Sequence, residues 1–442
     1  MSYTENWYRL DNAAKIIPST AVGADTRVFR IACELKENVD PDVLQDALDS
    51  VMEEFPYMDC CLRRGVFWYY LDRLHERPLV EPENRPALSA IYIPGHKSHL
   101  FRVSYFQRRI NLEMFHVLSD GTGGFTFLKH LLTEYIVLKY GLEREKYVDD
   151  TSSASDKERD AFKQYEKKLR TVQNPVKWVK KIFATSAYQL RGIKDENLEL
   201  HLIEGTVPVA GMLEIAHNYG TTIGILSVSL FIESVIREMD LKERKKKIVF
   251  SVPVNLRQFF DSPTVRNFYA VMLIKYDPQM YDGSFRSIID TVSRVFDENL
   301  KEERVLYEMS DYTSLENNLL IRLCPLFLKD IGVWRMSYMR GRGITSSISN
   351  LGKIDMPDEI GCHISKFAAF MACKTVFVCI STFEDKMVFG ITSPFRKHML
   401  ALNFFRNLAK MGIQAEIAGN DYDAEEKDNA DMSEMQDIGQ GE

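Results

Sequence analysis

The chain has 442 residues, 45% of them hydrophobic and 27% charged, and carries a formal net charge of -7. That length accommodates two or three domains around a sizeable core. The acidic balance offers no basic field of the kind that draws a protein onto nucleic acid, so nucleic acid is not expected as a partner.

The opening residues contain no basic segment followed by an apolar one, and no uninterrupted apolar run is long enough for a bilayer. A cytoplasmic protein with no stable membrane insertion is the expectation. The run VFRIACEL (28–35) reads as a strand, and Asp40-Pro41 then provides an N-cap and a first-turn proline for a helix that ends near Pro56. VFWYYL (66–71) reads as another strand. FRVSYF and INLEMF, joined by the polar turn at 107–109, read as an antiparallel pair, and Phe127, Leu128, Leu131, Leu132 and Tyr135 mark a helix over 124–140.

From about residue 146 to 204 the chain turns polar and then basic, as in KKLRTVQNPVKWVKKIF, which suits a linker or a lid. Helices are expected at 208–219, 222–239, 285–300, 314–329 and 399–412. Strands are expected at 247–254 and 269–276, followed by a hairpin of TVFVCISTF with KMVFGITS. Residues 420–442 are acidic and poor in large apolar side chains, a composition expected to be disordered. The domain reading is therefore 1–145, a segment 146–204, 205–419 and a tail 420–442, with the second half resembling the first in content. Seven cysteines at 33, 60, 61, 324, 362, 373 and 379 form no C-x-x-C pair and have no zinc-like histidine spacing beside them. Reduced, mostly buried thiols are expected.

Chemistry concentrates at FHVLSDGTGG (115–124), where a strand passes into a helix. A histidine at a strand end, His116, can project into a cleft, and its ordinary pKa of about 6.5 suits proton abstraction at neutral pH. Asp120 can orient that ring or hold the turn, and the residues alone do not separate the two. Gly121, Gly123 and Gly124 suit a turn pressed against a ligand or another domain. A structural histidine satisfied by a carbonyl is the competing reading; a metal would need further ligands, and no second cluster offers them, so none is expected. Neither a Gly-x-Ser-x-Gly elbow nor a phosphate-binding glycine loop ending in lysine is present.

HVLSDG, together with SVPVNLRQFF (251–260), Arg266-Asn267-Phe268 and ISNLGKIDMP (348–357), resembles the ordered motifs of the CoA-dependent acyltransferase superfamily. That superfamily includes chloramphenicol acetyltransferase, plant acyltransferases and the condensation domains of peptide synthetases. WYRLDNAAKIIP and LRRGVFWYYLD are most similar to bacterial alcohol acetyltransferase-like proteins. The resemblance implies an α/β fold of the α+β sandwich type, in which two similar chloramphenicol acetyltransferase-like domains with mixed sheets hold the active site in a tunnel at their interface. It implies His116 as general base toward an acceptor hydroxyl, attack on an acyl-CoA (acetyl-CoA first), and direct transfer without an acyl-enzyme. The resemblance further implies that Asp120 and Gly121 complete the motif, that Arg257 pairs with Asp120 with Asn255 in support, and that Ser349 or Asn350 is the oxyanion donor.

The pattern also departs from its relatives. Phe115 stands where condensation domains carry a first histidine, and the plant group's late Asp-Phe-Gly-Trp-Gly is replaced by Ser349-Asn350-Leu351-Gly352. Residues that bind the cofactor are not identified. Amine acylation, a carrier-protein donor and a non-catalytic binding protein on the same fold are the alternatives, and the oligomeric state is not readable.

Overall fold

The computed structural model describes residues 7–147, 154–162, 186–301, 303–306 and 323–420. In the first half, β2 (Val28–Leu35), β5 (Val80–Pro82), β6 (Phe101–Phe106) and β7 (Arg109–Phe115) build most of a mixed five-stranded sheet. Its remaining strand is β12 (Ile364–Met371), which comes from the other half of the chain, in the order β12-β2-β7-β6-β5. β12 runs antiparallel to β2 from Ile364 opposite Leu35 to Met371 opposite Phe29. A small sheet of β1 (Trp7–Arg9), β4 (Tyr69–Arg73) and β3 (Cys60–Arg64) lies beside it.

The second half carries a mixed seven-stranded sheet. It is built from β8 (His201–Pro208), β9 (Ile248–Asn255), β10 (Tyr269–Tyr276), β11 (Ser346–Lys353), β13 (Phe377–Phe383), β14 (Lys386–Ser393) and β15 (Glu416–Gly419), in the order β10-β9-β11-β13-β14-β8-β15. This is the mixed-sheet α/β architecture in two halves that the motifs implied.

Local chemistry sets these boundaries. Helix α1 (Pro41–Glu54) starts where the Asp40 carboxylate accepts the amides of Asp42 and Val43, and it buries Leu44, Ala47, Leu48 and Val51. Helix α2 (Gly121–Tyr140) packs beside it and stops at Gly141, whose φ of 65° closes the last turn. Strand β2 is buried almost throughout because helices cover one face, while the other carries Arg30 bonded to Glu113 of β7. In the second half, α3 (Val209–Asn218), α4 (Ile223–Glu238), α5 (Phe285–Asn299) and α7 (Met399–Lys410) pack on the large sheet, with Phe231 and Phe404 stacked 4.0 Å apart. Helix α6 (Leu326–Gly341) stands nearer the solvent.

Charged groups also cross between the halves. Glu204 of β8 meets Arg109 of β7 at 2.7 Å and Lys366 of β12, while Lys366 reaches Glu34 of β2 at 3.6 Å.

Several elements differ from the sequence reading. β4 begins at Tyr69 because residues 65–68 form a turn closed by the Gly65 amide on the Trp68 carbonyl. Of the helix read at 314–329, residues 314–322 lie outside the described residues, and a helix is observed over Leu326–Gly341. β1, β3, β5, β8, β11, β12 and β15 were not anticipated. The basic stretch 167–183 and the tail 421–442 also lie outside the described residues. Of the segment read as a linker, Ala161 and Phe162 pack with Leu256, Phe260 and Phe268 in a small core of their own. All seven cysteines are free thiols; Cys362 is exposed and five are buried.

Candidate active site

β7 ends at Phe115, and His116 follows with its amide donating to the Arg27 carbonyl at 2.9 Å, so the chain leaves the sheet in a fixed direction. The imidazole is partly buried between the rings of Phe29 and Tyr269, at 5.4 and 5.6 Å between centroids. Its Nδ1 lies 2.9 Å from Asn267 Oδ1. The same asparagine donates from Nδ2 to the His116 carbonyl at 3.0 Å and to Asp11 Oδ2 at 3.1 Å. Both of those partners only accept, which fixes the amide with its oxygen toward the ring. Nδ1 therefore carries the proton, and Nε2 presents a lone pair.

Asp11 is fully buried, and its other oxygen accepts the Ala14 amide at 2.8 Å. Burial pushes its carboxyl up to about 6, against the pull of Arg266, whose Nε is 3.8 Å from Oδ2. Burial likewise holds the His116 pKa below 6.5, while the Asp120 charge and the Asn267 bond act in the opposite direction.

Asp120 sits 4% exposed at the start of α2. One carboxylate oxygen accepts the Gly123 amide at 2.9 Å; the other accepts Arg257 Nη1 at 2.9 Å and the Phe268 amide at 2.8 Å. Its side chain thus caps the helix and fastens it to the second half. Arg257 spends its remaining donors on the Thr264 and Arg266 carbonyls and on Asn255 Oδ1, which also receives the Arg257 amide. The 264–266 loop comes so close that a β-carbon on Gly123 would lie 1.9 Å from the Val265 oxygen, whereas one on Gly121 would meet only a Leu351 methyl at 3.1 Å. That loop is also held from behind, where the Val265 amide donates to the Lys157 carbonyl at 2.9 Å.

The structure thus gathers His116, Asp120, Gly121, Arg257 and Asn255 at one junction between the halves. Ser349 lies on β11 opposite Cys379 and bonds to none of them. Asn350 is exposed at the end of that pairing, with Oδ1 accepting the Gly352 amide at 2.8 Å. Sequence reasoning gave no role to Asn267, Asp11 or Tyr269, all of which bear on the ring. Only the position of Asn267 beside Arg266 in a motif-like run hinted at one.

A cleft of about 1800 Å³ opens between the halves and reaches Tyr269 and Arg27, the immediate neighbours of His116. Leu10 and Trp68 line it from the first half, and Ser251 and Ser347 from the second.

No protein-family model matches the sequence, and no curated protein sequence matches it. Solved structures are similar along nearly the whole chain. The first condensation domain of the calcium-dependent antibiotic synthetase, in complex with a substrate analogue, is 13% identical with a TM-score of 0.64, covering 92% of this chain and 96% of that one. Polyketide synthase associated protein 5 from Mycobacterium tuberculosis is 11% identical with a TM-score of 0.59, over 91% and 96% of the two chains. The trichothecene 15-O-acetyltransferase of Fusarium sporotrichioides is 8% identical with a TM-score of 0.59, over 91% and 94%. With two mixed-sheet halves meeting at a histidine, the chain has the fold of condensation domains and of this O-acetyltransferase.

Proposed function

We propose that the chain is an acyltransferase with His116 as general base. In this reading Nε2 takes the proton of an acceptor hydroxyl as that oxygen attacks the thioester carbonyl of an acyl-CoA, acetyl-CoA being the first candidate. The tetrahedral intermediate then expels the CoA sulfur, which receives the proton from the imidazolium, leaving an ester and free thiol. One observation carries the reading: Asn267, its own orientation set by Asp11, holds Nδ1 as a donor and so keeps Nε2 available as a base.

The cleft supports an anionic donor. Lys15, Lys194, Lys275, Arg340, Arg342 and Lys374 are among its lining residues, against Asp25 and Glu298 on the acidic side. The phosphates of CoA fit that field, as does the phosphopantetheine of a carrier protein. For the oxyanion we assign Ser349 or Asn350. Ser349 shares a strand face with cleft-lining Ser347, and Asn350 keeps Nδ2 as an outward donor because its Oδ1 is taken by Gly352. Asp120 and Arg257 hold the junction, and Asn255 in turn holds Arg257. A hydroxyl is taken as the acceptor first, as in the O-acetyltransferase of the same fold.

The test is thiol release from acetyl-CoA and longer acyl-CoAs with a panel of alcohols and amines, repeated with pantetheine-loaded carrier protein. We expect release above the hydrolysis background and a loss of about 10²–10⁴-fold in His116→Ala that keeps its circular dichroism. A folded wild-type protein that transfers from none of these donors is a binding protein on this fold, and the proposal fails.

A further inference from the structure

Helix α6 divides the cleft from an apolar outer surface. Gly332, Val333, Met336 and Ser337 face the cleft, whereas Phe327, Ile331 and Trp334, outside its lining, are 56%, 61% and 44% exposed. Their spacing lines them up along one side of the helix, opposite the cleft. The turn at 65–68, which joins β3 to β4, sits against the start of this helix. The Leu326 amide donates to the Val66 carbonyl and Lys329 Nζ to the Phe67 carbonyl, each at 2.9 Å. Val66 and Phe67, 74% and 43% exposed, therefore extend the stripe. Two segments distant in sequence present one outward apolar face.

Cations border that face. Arg335 and Arg64 are exposed beside it, Arg335 with no carboxylate partner among the described residues and Arg64 on Asp330. Asp330, the single acid of the helix, is occupied by Ser19, Arg64 and Tyr69. Exposed aromatic and aliphatic side chains bordered by arginines are the composition of a helix that lies in a lipid headgroup layer. Val66 and Ile331, both more than 60% exposed, favour lipid over an acidic protein, whose contacts would be made chiefly through the arginines.

We propose that this face docks on an anionic lipid surface, with the apolar stripe entering the headgroup boundary, the arginines meeting lipid phosphate and carboxylate groups, and the cleft behind α6 receiving an amphiphilic acceptor. Docking is peripheral, since no single described helix is long and apolar enough to cross a membrane. The docking stands apart from the acyl-transfer reading; only the entry of the acceptor rests on it.

Flotation of the full chain with phosphatidylcholine vesicles, with and without phosphatidylserine, tests this. The protein is expected to float with the anionic vesicles and much less with the neutral ones. Arg335→Gln lowers that partitioning about fivefold, a value converted from the free energy of one basic residue at an anionic surface. A double Ile331→Ser, Trp334→Ser variant, folded by circular dichroism because both sites are solvent-facing, lowers it by about tenfold or more. Failure to float with anionic vesicles, or equal flotation of the double variant, overturns the proposal. Self-association in solution that the double variant abolishes overturns it in favour of a second copy as occupant. A protein that transfers acyl groups but never floats loses the docking and keeps the chemistry; one that floats without thiol release does the reverse.

Discussion

At His116 the decisive detail is which ring nitrogen holds the proton, and Asn267 decides it from the other half of the chain. Replacing Asn267 by Ala removes the partner of Nδ1 and lets the ring rotate and change tautomer. We expect kcat to fall about 10–100-fold, as for supporting residues that orient a ligand histidine, with a smaller change in KM. The pH dependence follows from the lowered pKa. A depressed imidazolium pKa keeps the base neutral to lower pH, so kcat/KM falls only once pH drops below a midpoint lying under 6.5. Asn267→Asp places a carboxylate against Nδ1, stabilises the imidazolium and moves the midpoint upward. A pH–rate profile whose acid limb is unmoved in that variant assigns the limb to a group other than His116. His116 and Asp120 between a strand and a helix were legible as a local pattern, whereas the Asp120–Arg257 pair was expected only from the family resemblance. Asn267 was not legible, since it reaches His116 across 151 positions and nothing local requires an amide there.

Helix α2 depends on the same junction. Asp120→Ala removes its N-cap bond, strands Arg257 at 13% side-chain exposure and leaves the Phe268 amide without its acceptor. A loss of about 3–5 kcal/mol is expected, read as a lower urea midpoint with an unchanged slope. The glycines of the motif separate by what surrounds them. Gly123→Ala drives a β-carbon into the Val265 carbonyl and costs about 2 kcal/mol or more, while Gly121→Ala presses only on the flexible Leu351 side chain and costs less than about 1 kcal/mol. Equal destabilisation by the two would contradict the close approach of the 264–266 loop. Helix α1, which buries one face, declared itself by period, and the β6–β7 hairpin by two apolar runs about a polar turn. Helix α6 did not, because cleft-facing and outward-facing apolar residues surround it and blur the register.

For the whole molecule, the swap of β12 into the first-half sheet joins two halves whose sequences read as separable units. Residues 1–145 alone expose the β2 edge that β12 covers and lack the Arg257 and Phe268 donors that the Asp120 carboxylate accepts. That fragment is expected to aggregate or stay unfolded, and the intact chain to melt in one transition seen alike by near- and far-ultraviolet circular dichroism. A soluble, cooperatively folding 1–145 fragment would show that the first half does not need the strand. β12 escaped the sequence reading because ISKFAAFM has the composition of a strand for either half, and only tertiary pairing decides which sheet receives it.

That late strand also sets a timetable for synthesis. A ribosome has to translate through Met371 before β2 can acquire its neighbour, although β2 and β7 emerged hundreds of residues earlier. The nascent first half must therefore wait, with an open edge next to the strand that leads into His116, while more than half of the chain is made. Truncated products that stop before residue 364 cannot complete the sheet, so premature termination yields chains for disposal by quality control rather than proteins with partial activity.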